Sequence, residues 1–389
     1  MATRVRSFSK VNLGLRIGPV RADGFHGLVT LYQTLALHDV VTVSARRAGA
    51  GEGTRISLTT DHARVPTDGR NTVWQMVERA LGAMGVAAVV EVHLEKRLPV
   101  QGGMGAGSAN AAAALMGLER EMAVWEVAGP VLGEGERLRL AAEVGSDVPL
   151  FLVGGAVLGR GRGEMVEAMP DVTLGDGRGV PCVVAVPKVG VSTPFAFREW
   201  DARQGSLAGA PLRPEEAGAD TAAGPEAGSA PGLTHTSAID TLNKLSFAYF
   251  SAFALSANGG VELGTSSIVG DSVPMGISGV ERRDRHDNRA ENTLLALVRT
   301  GIENDFEEVV FPHHPSLCEI KRLLMGDDPR QAALYAALSG SGSALFGLYR
   351  SEGDARAAQQ RVQSSGTEAI LTETLTRAEF WSRMFADRI

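Results

Sequence analysis

The stretch VQGGMGAGSANAA, residues 100–112, sets Gly102, Gly103, Gly105 and Gly107 between an alternating, strand-like run and a run of alanines with helical character. Glycine lets a main chain approach a ligand closely, and the unpaired N–H groups of a following helix attract an anion, phosphate being the obvious guest. Glycines serve tight turns and close packing equally well, so the loop alone decides neither reading. It is no P-loop, because no Lys-Ser or Lys-Thr pair follows the last glycine, and GGMGAG fits the dinucleotide fingerprint only loosely. Other polar residues fall beside turns: Lys10, Asn12, Asp23, His26, Lys96, Ser108, Asn110 and Asp147. Each has an ordinary use as well, Lys10 as a gatekeeper on an edge strand, Asp147 as a turn cap and His26 as a turn histidine. None has partners at metal-ligand spacing; a magnesium ion held mainly by phosphates and water leaves little trace in a sequence.

These groups need elements to position them. RVRSF and NLGLRI alternate as strands, LVTLYQTLALHDVVTVSA supplies two more strand-like runs, and PVRADGFHG reads as the turn between. Residues 71–84 read as a helix, with Val73, Met76, Val77, Ala80, Leu81 and Met84 on one face and Asn71 as N-cap. VVEVHLEK alternates as a strand whose end delivers Lys96 and Arg97 to the glycine loop, and Ser108 is expected to begin the alanine helix. ERLRLAAEVG reads as a helix capped by Gly145, with Asp147 just beyond, followed by an apolar strand and a second glycine-rich turn, GRGRGE. VPCVVAVP reads as a buried strand, and a helix is expected to begin at 194–203. Residues 204–234 are mostly Gly, Ala, Pro, Glu, Ser and Thr, which bury too little apolar surface to offset the entropy of ordering; they read as a mobile insertion. Helical patterning resumes near Glu291, and the chain ends as helix, the third small-residue turn LSGSGSALF entering a strand, helix and strand.

With 389 residues, 44% of them hydrophobic, the chain suffices for one large or two ordinary globular domains. A net charge of −7 argues against generic nucleic-acid binding. Cys182 and Cys318 lie in apolar or amphipathic segments and read as buried free thiols. The N-terminal residues lack the apolar core of a signal peptide, and no apolar run reaches the roughly 18 residues of a membrane span. A cytoplasmic protein with no membrane and no nucleic-acid partner is expected.

Taken together, SKVNLGL, VQGGMGAGSANAA and LSGSGSALF resemble the three motifs of the galactokinase, homoserine kinase, mevalonate kinase and phosphomevalonate kinase superfamily. Within it, SKVNLGLRIGPVRADGFHGLVTLYQTLALHD, EKRLPVQGGMGAGSANAA and GSDVPLFLVGGAVLGRGRGE resemble the 4-diphosphocytidyl-2-C-methyl-D-erythritol kinase family, with VSTPFAF and NDFE extending the likeness. Phe25, Gln101 and Ala109 stand where members commonly carry Tyr, Gly and Ser. The resemblance implies an α+β fold of two lobes. The first, residues 1–175, is like ribosomal protein S5 domain 2, with a left-handed β-α-β crossover; the second, 176–389, is ferredoxin-like and interrupted by an insertion at about 204–289.

The resemblance further implies phosphoryl transfer from ATP, with Mg²⁺ held mainly by phosphates, to the 2-hydroxyl of 4-(cytidine 5′-diphospho)-2-C-methyl-D-erythritol. Asp147 then becomes the general base and Lys10 the cation beside it. Val100, Gln101, Gly102, Gly103, Met104, Gly105, Ala106, Gly107, Ser108, Ala109 and Asn110 fall on the ATP side together with Asn71 and Lys96. Asn12, Phe25, His26, Thr193 and Phe197 fall on the cytidyl side. A sister kinase taking a mevalonate-type or sugar substrate is one alternative, against which DGFH and GSDVPLFL speak. A catalytically silent nucleotide-binding regulator is the other, against which the presence of both Lys10 and Asp147 speaks.

Overall fold

A computed structural model describes residues 2–21, 23–100, 102–123, 125, 132–173, 177–208 and 302–386. Gln101 and the expected insertion from residue 209 onward lie outside the described residues, as does the apolar segment before the helical patterning near Glu291.

The first runs of alternation form two long strands rather than four short ones, β1 (Thr3–Val20) and β2 (His26–Arg47), paired antiparallel. Bulges at Phe8/Ser9, Asn12/Gly14 and Ile17/Val20 allow this, since an extra residue bends a strand and switches which side chains face a given core. Accordingly Val5 packs under the helices of the first sheet, whereas Val11 and Leu13 face the second sheet. On its other edge β2 pairs residues 28–33 with β5 (Ala156–Gly161) and residues 40–47 with β4 (Ala88–Glu95). β3 (Arg55–Thr60) lies parallel to β4 and β6 (Met165–Ala168) antiparallel to β5, giving the order β3-β4-β2-β5-β6 with β1 on β2.

Helix α1 (Thr72–Met84) connects β3 to β4 and buries the six residues its periodicity indicated; Asn71 caps it by accepting from Val73 N at 2.9 Å. The alanine helix, α2 (Ala106–Met122), begins two residues before Ser108, because Gly105 takes a left-handed conformation (φ +70°) that turns the loop into the helix axis. Its small residues let it sit close on the sheet: a Cβ at Gly117 would lie 2.7 Å from Val43 Cγ2. α3 (Glu134–Val144) ends at Gly145 as expected, although Gly145 is extended rather than left-handed, and a 3₁₀ turn (Pro149–Leu152) follows.

The second sheet runs β10 (Glu368–Glu373), β7 (Pro181–Val186), β9 (Leu345–Leu348), β8 (Tyr335–Leu338), all antiparallel. β7 is buried on both faces: Cys182 and Val184 meet the first sheet's residues, Val183 and Ala185 the outer helices. Those helices are α4 (Thr193–Ala208), α5 (Glu307–His313), α6 (Pro315–Met325) and α7 (Glu352–Ser364). Helix, sheet, sheet, helix is the layer order, and Leu31, Leu35, Phe346 and Leu348 fill the space between the sheets. The final helix, α8 (Arg377–Met384), is not foreseen by the sequence reading. It starts with a Thr376–Glu379 capping box and returns to the first sheet, placing Phe380 5.4 Å from Phe8. Both cysteines are free; Cys182 is fully buried, which pushes its thiol far above the usual range, while Cys318 is only half-buried. Among the described residues no helix is long and apolar enough to cross a membrane.

Candidate active site

A cleft of about 640 Å³ opens where the β1–β2 hairpin, from its mid-strand residues to its turn, meets the first glycine loop, α4 and the third small-residue turn. Lys10, near the middle of β1, is 3% exposed, which removes the surface gatekeeper reading. Its ammonium donates to Asn12 Oδ1 at 2.7 Å and stands 3.3 Å from Asp147 Oδ2. Asn12 is oriented in turn by donating to Thr30 Oγ1 at 2.8 Å, and Thr30 donates to Gly14 O at 2.8 Å. On the other side of the carboxylate, Tyr32 Oη donates to Asp147 Oδ1 at 2.9 Å. A buried lysine is tolerable only with partners, and here the partners form one line from Thr30 to Tyr32.

The glycine loop is held against this line by Lys10 N donating to Met104 O at 3.0 Å. Gly105 has no room for a side chain: a Cβ would meet Lys10 Cγ at 3.1 Å and Phe151 Cζ at 3.0 Å. Gly103 (φ +73°) is tighter still, a Cβ there falling 2.5 Å from Ser339 O of the third turn. That turn is locked on by Ser339 Oγ donating to Gly103 O (3.0 Å) and Ala344 N to Gly102 O (3.3 Å). Asn304 of NDFE is buried and donates to both Leu338 O and Gly340 O, at 2.8 and 2.7 Å. The two small-residue loops therefore interlock main chain to main chain, and Gly340 comes close enough that a Cβ would lie 3.2 Å from Asn12 Oδ1. Val100, Gly102, Met104, Ala106, Gly107, Ser108 and Ala109 follow along the loop and the first turns of α2, whose leading N–H groups have no intrahelical acceptor.

At the other end of the cleft Phe25 is 54% exposed, with the Arg162 guanidinium 5.0 Å from its ring centre. His26 stacks on Phe197 (5.0 Å, 7°), while its ring nitrogens face Gly18 O at 2.9 Å and Asp201 Oδ1 at 3.1 Å. Phe306 meets Phe197 edge-on, and Thr193 Oγ1 lies 2.8 Å from Ser341 Oγ, joining the start of α4 to the third turn. Lys10, Asn12, Phe25, His26, Gly103, Gly105, Asp147, Thr193 and Phe197 thus line one cleft.

Three residues expected on the nucleotide side are engaged within the protein. Asn71 caps α1 and donates to Pro66 O (2.7 Å), Asn110 is buried and accepts from Ser7 Oγ (2.7 Å), and Lys96 is paired with the fully buried Asp39. Asp39 also accepts from Arg97 N and Leu98 N, each at 2.7 Å, and so anchors the chain that leads into the glycine loop. Asp39→Ala is expected to destabilise the fold by about 3–5 kcal/mol, since it strands a buried ammonium and two amides; the denaturation midpoint measures it.

Tyr32, Asp39 and Asn304 are residues that sequence reasoning passed over. For Tyr32 a signal existed, because a phenol inside the apolar run LVTLYQTLAL requires a hydrogen-bond partner when buried. Among the described residues no group of three or more His, Cys, Asp or Glu is placed to hold a metal ion.

Comparison with known proteins agrees with this architecture. The family model described as GHMP kinases N terminal domain matches residues 71–155, and that described as GHMP kinases C terminal matches residues 280–368. A 4-diphosphocytidyl-2-C-methyl-D-erythritol kinase of Nocardia farcinica is 43% identical over 201 residues, covering 51% of this chain and 59% of the relative. One from Synechococcus sp. is 30% identical over 383 residues, 97% of this chain and 92% of the relative. A crystal structure of a 4-(cytidine 5′-diphospho)-2C-methyl-D-erythritol kinase shares the fold at a TM-score of 0.57 with 23% identity, covering 95% of this chain and 98% of that one. The chain belongs to the 4-diphosphocytidyl-2-C-methyl-D-erythritol kinase family of GHMP kinases.

Proposed function

We propose that the protein transfers the γ-phosphoryl group of ATP to the 2-hydroxyl of 4-(cytidine 5′-diphospho)-2-C-methyl-D-erythritol, in the non-mevalonate route to isoprenoid precursors. The observation that carries this reading is the polarity of a single cleft: a lysine–aspartate pair against interlocked glycine loops at one end, and an exposed phenylalanine beside a His26–Phe197 stack at the other. Its volume suits a nucleotide-sized ligand.

Asp147 takes the proton of the 2-hydroxyl; the oxygen forms its bond to the γ-phosphorus as the bond from phosphorus to the β,γ-bridging oxygen breaks, releasing ADP. Lys10 orients the carboxylate and offsets charge developing on the attacking oxygen. The glycine loop's main chain and the start of α2 face the ATP phosphates. A divalent cation accompanying ATP would be held chiefly by phosphate and water oxygens and would offset charge on the transferring phosphoryl group.

Phe25 supplies the stacking face for cytosine. Base-on-aromatic stacking is worth about 1–3 kcal/mol, so Phe25→Ala is expected to raise KM for the cytidyl substrate roughly ten- to hundredfold while kcat falls much less and ATP binding is unchanged. The same assay run with the uridyl analogue and with 2-C-methyl-D-erythritol 4-phosphate tests the substrate. Equal kcat/KM for all three on the unmodified enzyme would mean that the cleft does not read cytidine.

A further inference from the structure

We propose that Tyr32 is a positioning residue for Asp147, and that the second glycine-rich turn, GRGRGE, serves as the slot that seats its hydroxyl rather than as a phosphate cradle. The inference rests on the reading of Asp147 as the base.

Tyr32 is 2% exposed and sits opposite Asn12 in the β1–β2 pairing, one strand away from the residue that orients Lys10. Its hydroxyl has a 2.9 Å hydrogen bond to Asp147 Oδ1, on the side of the carboxylate away from the Oδ2 atom that faces Lys10. Asp147 follows a helix end and a glycine, with no strand to hold it, so these two tethers fix its plane. Oδ2 is left toward Lys10 and the cleft, where a substrate hydroxyl arrives.

The last residues of β5 and the turn that follows, together GRGRGE, are shaped to the phenol. A Cβ at Gly159 would lie 2.6 Å from Tyr32 Cε2, and one at Gly163 (φ +105°) would lie 2.4 Å from the hydroxyl oxygen and 3.9 Å from Asp147 Oδ1. Glycine at 159 and 163 is therefore a steric requirement of the tyrosine. The phosphate-cradle alternative is weaker because Glu164 turns back to accept from Arg162 N, placing a carboxylate in the turn itself.

The charged and titratable groups around the pair are Lys10 from β1, Glu164 and Arg162 from the turn, and His26, Arg198 and Asp201 across the cleft. Burial, then the neighbouring Asp147, pushes the Tyr32 phenol well above its usual range. It remains a protonated donor wherever the enzyme works.

Steady-state kinetics of the full chain with ATP and the cytidyl substrate test the inference. Tyr32→Phe keeps the ring and removes one hydroxyl. The expected result is a fall in kcat of about tenfold with both KM values within about twofold, because the carboxylate loses the tether that fixes its plane while the cleft keeps its shape. Gly163→Ala pushes the hydroxyl away without removing it; it should lower kcat similarly on its own, and should lower it no further in the Tyr32→Phe background. Wild-type kcat in Tyr32→Phe, or additive losses in the double variant, would overturn the inference. Asp147→Asn run in parallel separates the two ideas: near-normal turnover there removes the base itself, whereas an inactive Asp147→Asn beside a wild-type-like Tyr32→Phe removes only the role of Tyr32.

Discussion

Asp147→Asn is expected to lower kcat by about 10²- to 10⁴-fold and to leave the affinity for ATP within a few-fold, the range for loss of the proposed general base from a site whose shape is kept. The amide is nearly isosteric, so Tyr32 still has an oxygen to donate to, and the neighbouring main chain, fixed by Val148 N donating to Gly145 O at 3.0 Å, has no cause to move. What changes is that an amide takes no proton from an attacking hydroxyl. Single-turnover measurement of phosphoryl transfer, with nucleotide binding followed separately, distinguishes this from a binding defect. Turnover near that of the unmodified enzyme would mean that Asp147 is a turn cap and that the hydroxyl loses its proton elsewhere.

The sequence makes some elements of this cleft legible and hides others. α1 is legible because one helix face and one cap residue suffice to define it, and both are local: six apolar positions at helical spacing behind Asn71. The glycines at 103, 105 and 340 are legible as a need for closeness, but not for closeness to what. In the fold Gly103 touches the main chain of Ser339 and Gly105 touches the stem of Lys10, contacts that join segments about 235 and 95 residues apart in sequence. Asp39 and Lys96 show the same limit. Lys96 reads as a cation delivered to a phosphate loop until the register of β2 against β4 brings a buried carboxylate to meet it. Likewise the merging of four alternating runs into two long strands depends on bulges, which leave no period in the sequence, and the return of α8 to the first sheet is set by Phe380 finding the space above Gly154 rather than by any local pattern. Propensity and spacing report on neighbours in the chain, whereas the site is assembled from loops far apart in it.

Lys10→Ala is expected to cost about 10²- to 10³-fold in kcat, the loss typical of removing one preorganised group that stabilises developing charge. The lysine is not easily replaced by another cation. Its stem runs along Gly105, its head is closed in by Asn12 Oδ1 and the main chain at Gly340, and a Cβ at Gly340 would already lie 3.7 Å from the ammonium. Arginine is longer and presents a planar fork, so Lys10→Arg restores the charge without the fit and should remain more than tenfold below the unmodified enzyme. In the proposed mechanism Lys10 acts on the same carboxylate, 3.3 Å away, and the same developing oxyanion that Asp147 serves, so the two losses should not multiply. Residues that work as a unit show strongly non-additive kinetics, so Lys10→Ala combined with Asp147→Asn should fall within a few-fold of Asp147→Asn alone. Losses that multiply would place Lys10 in a separate task, such as holding the nucleotide. In that case KM for ATP, rather than kcat, would carry the effect of Lys10→Ala.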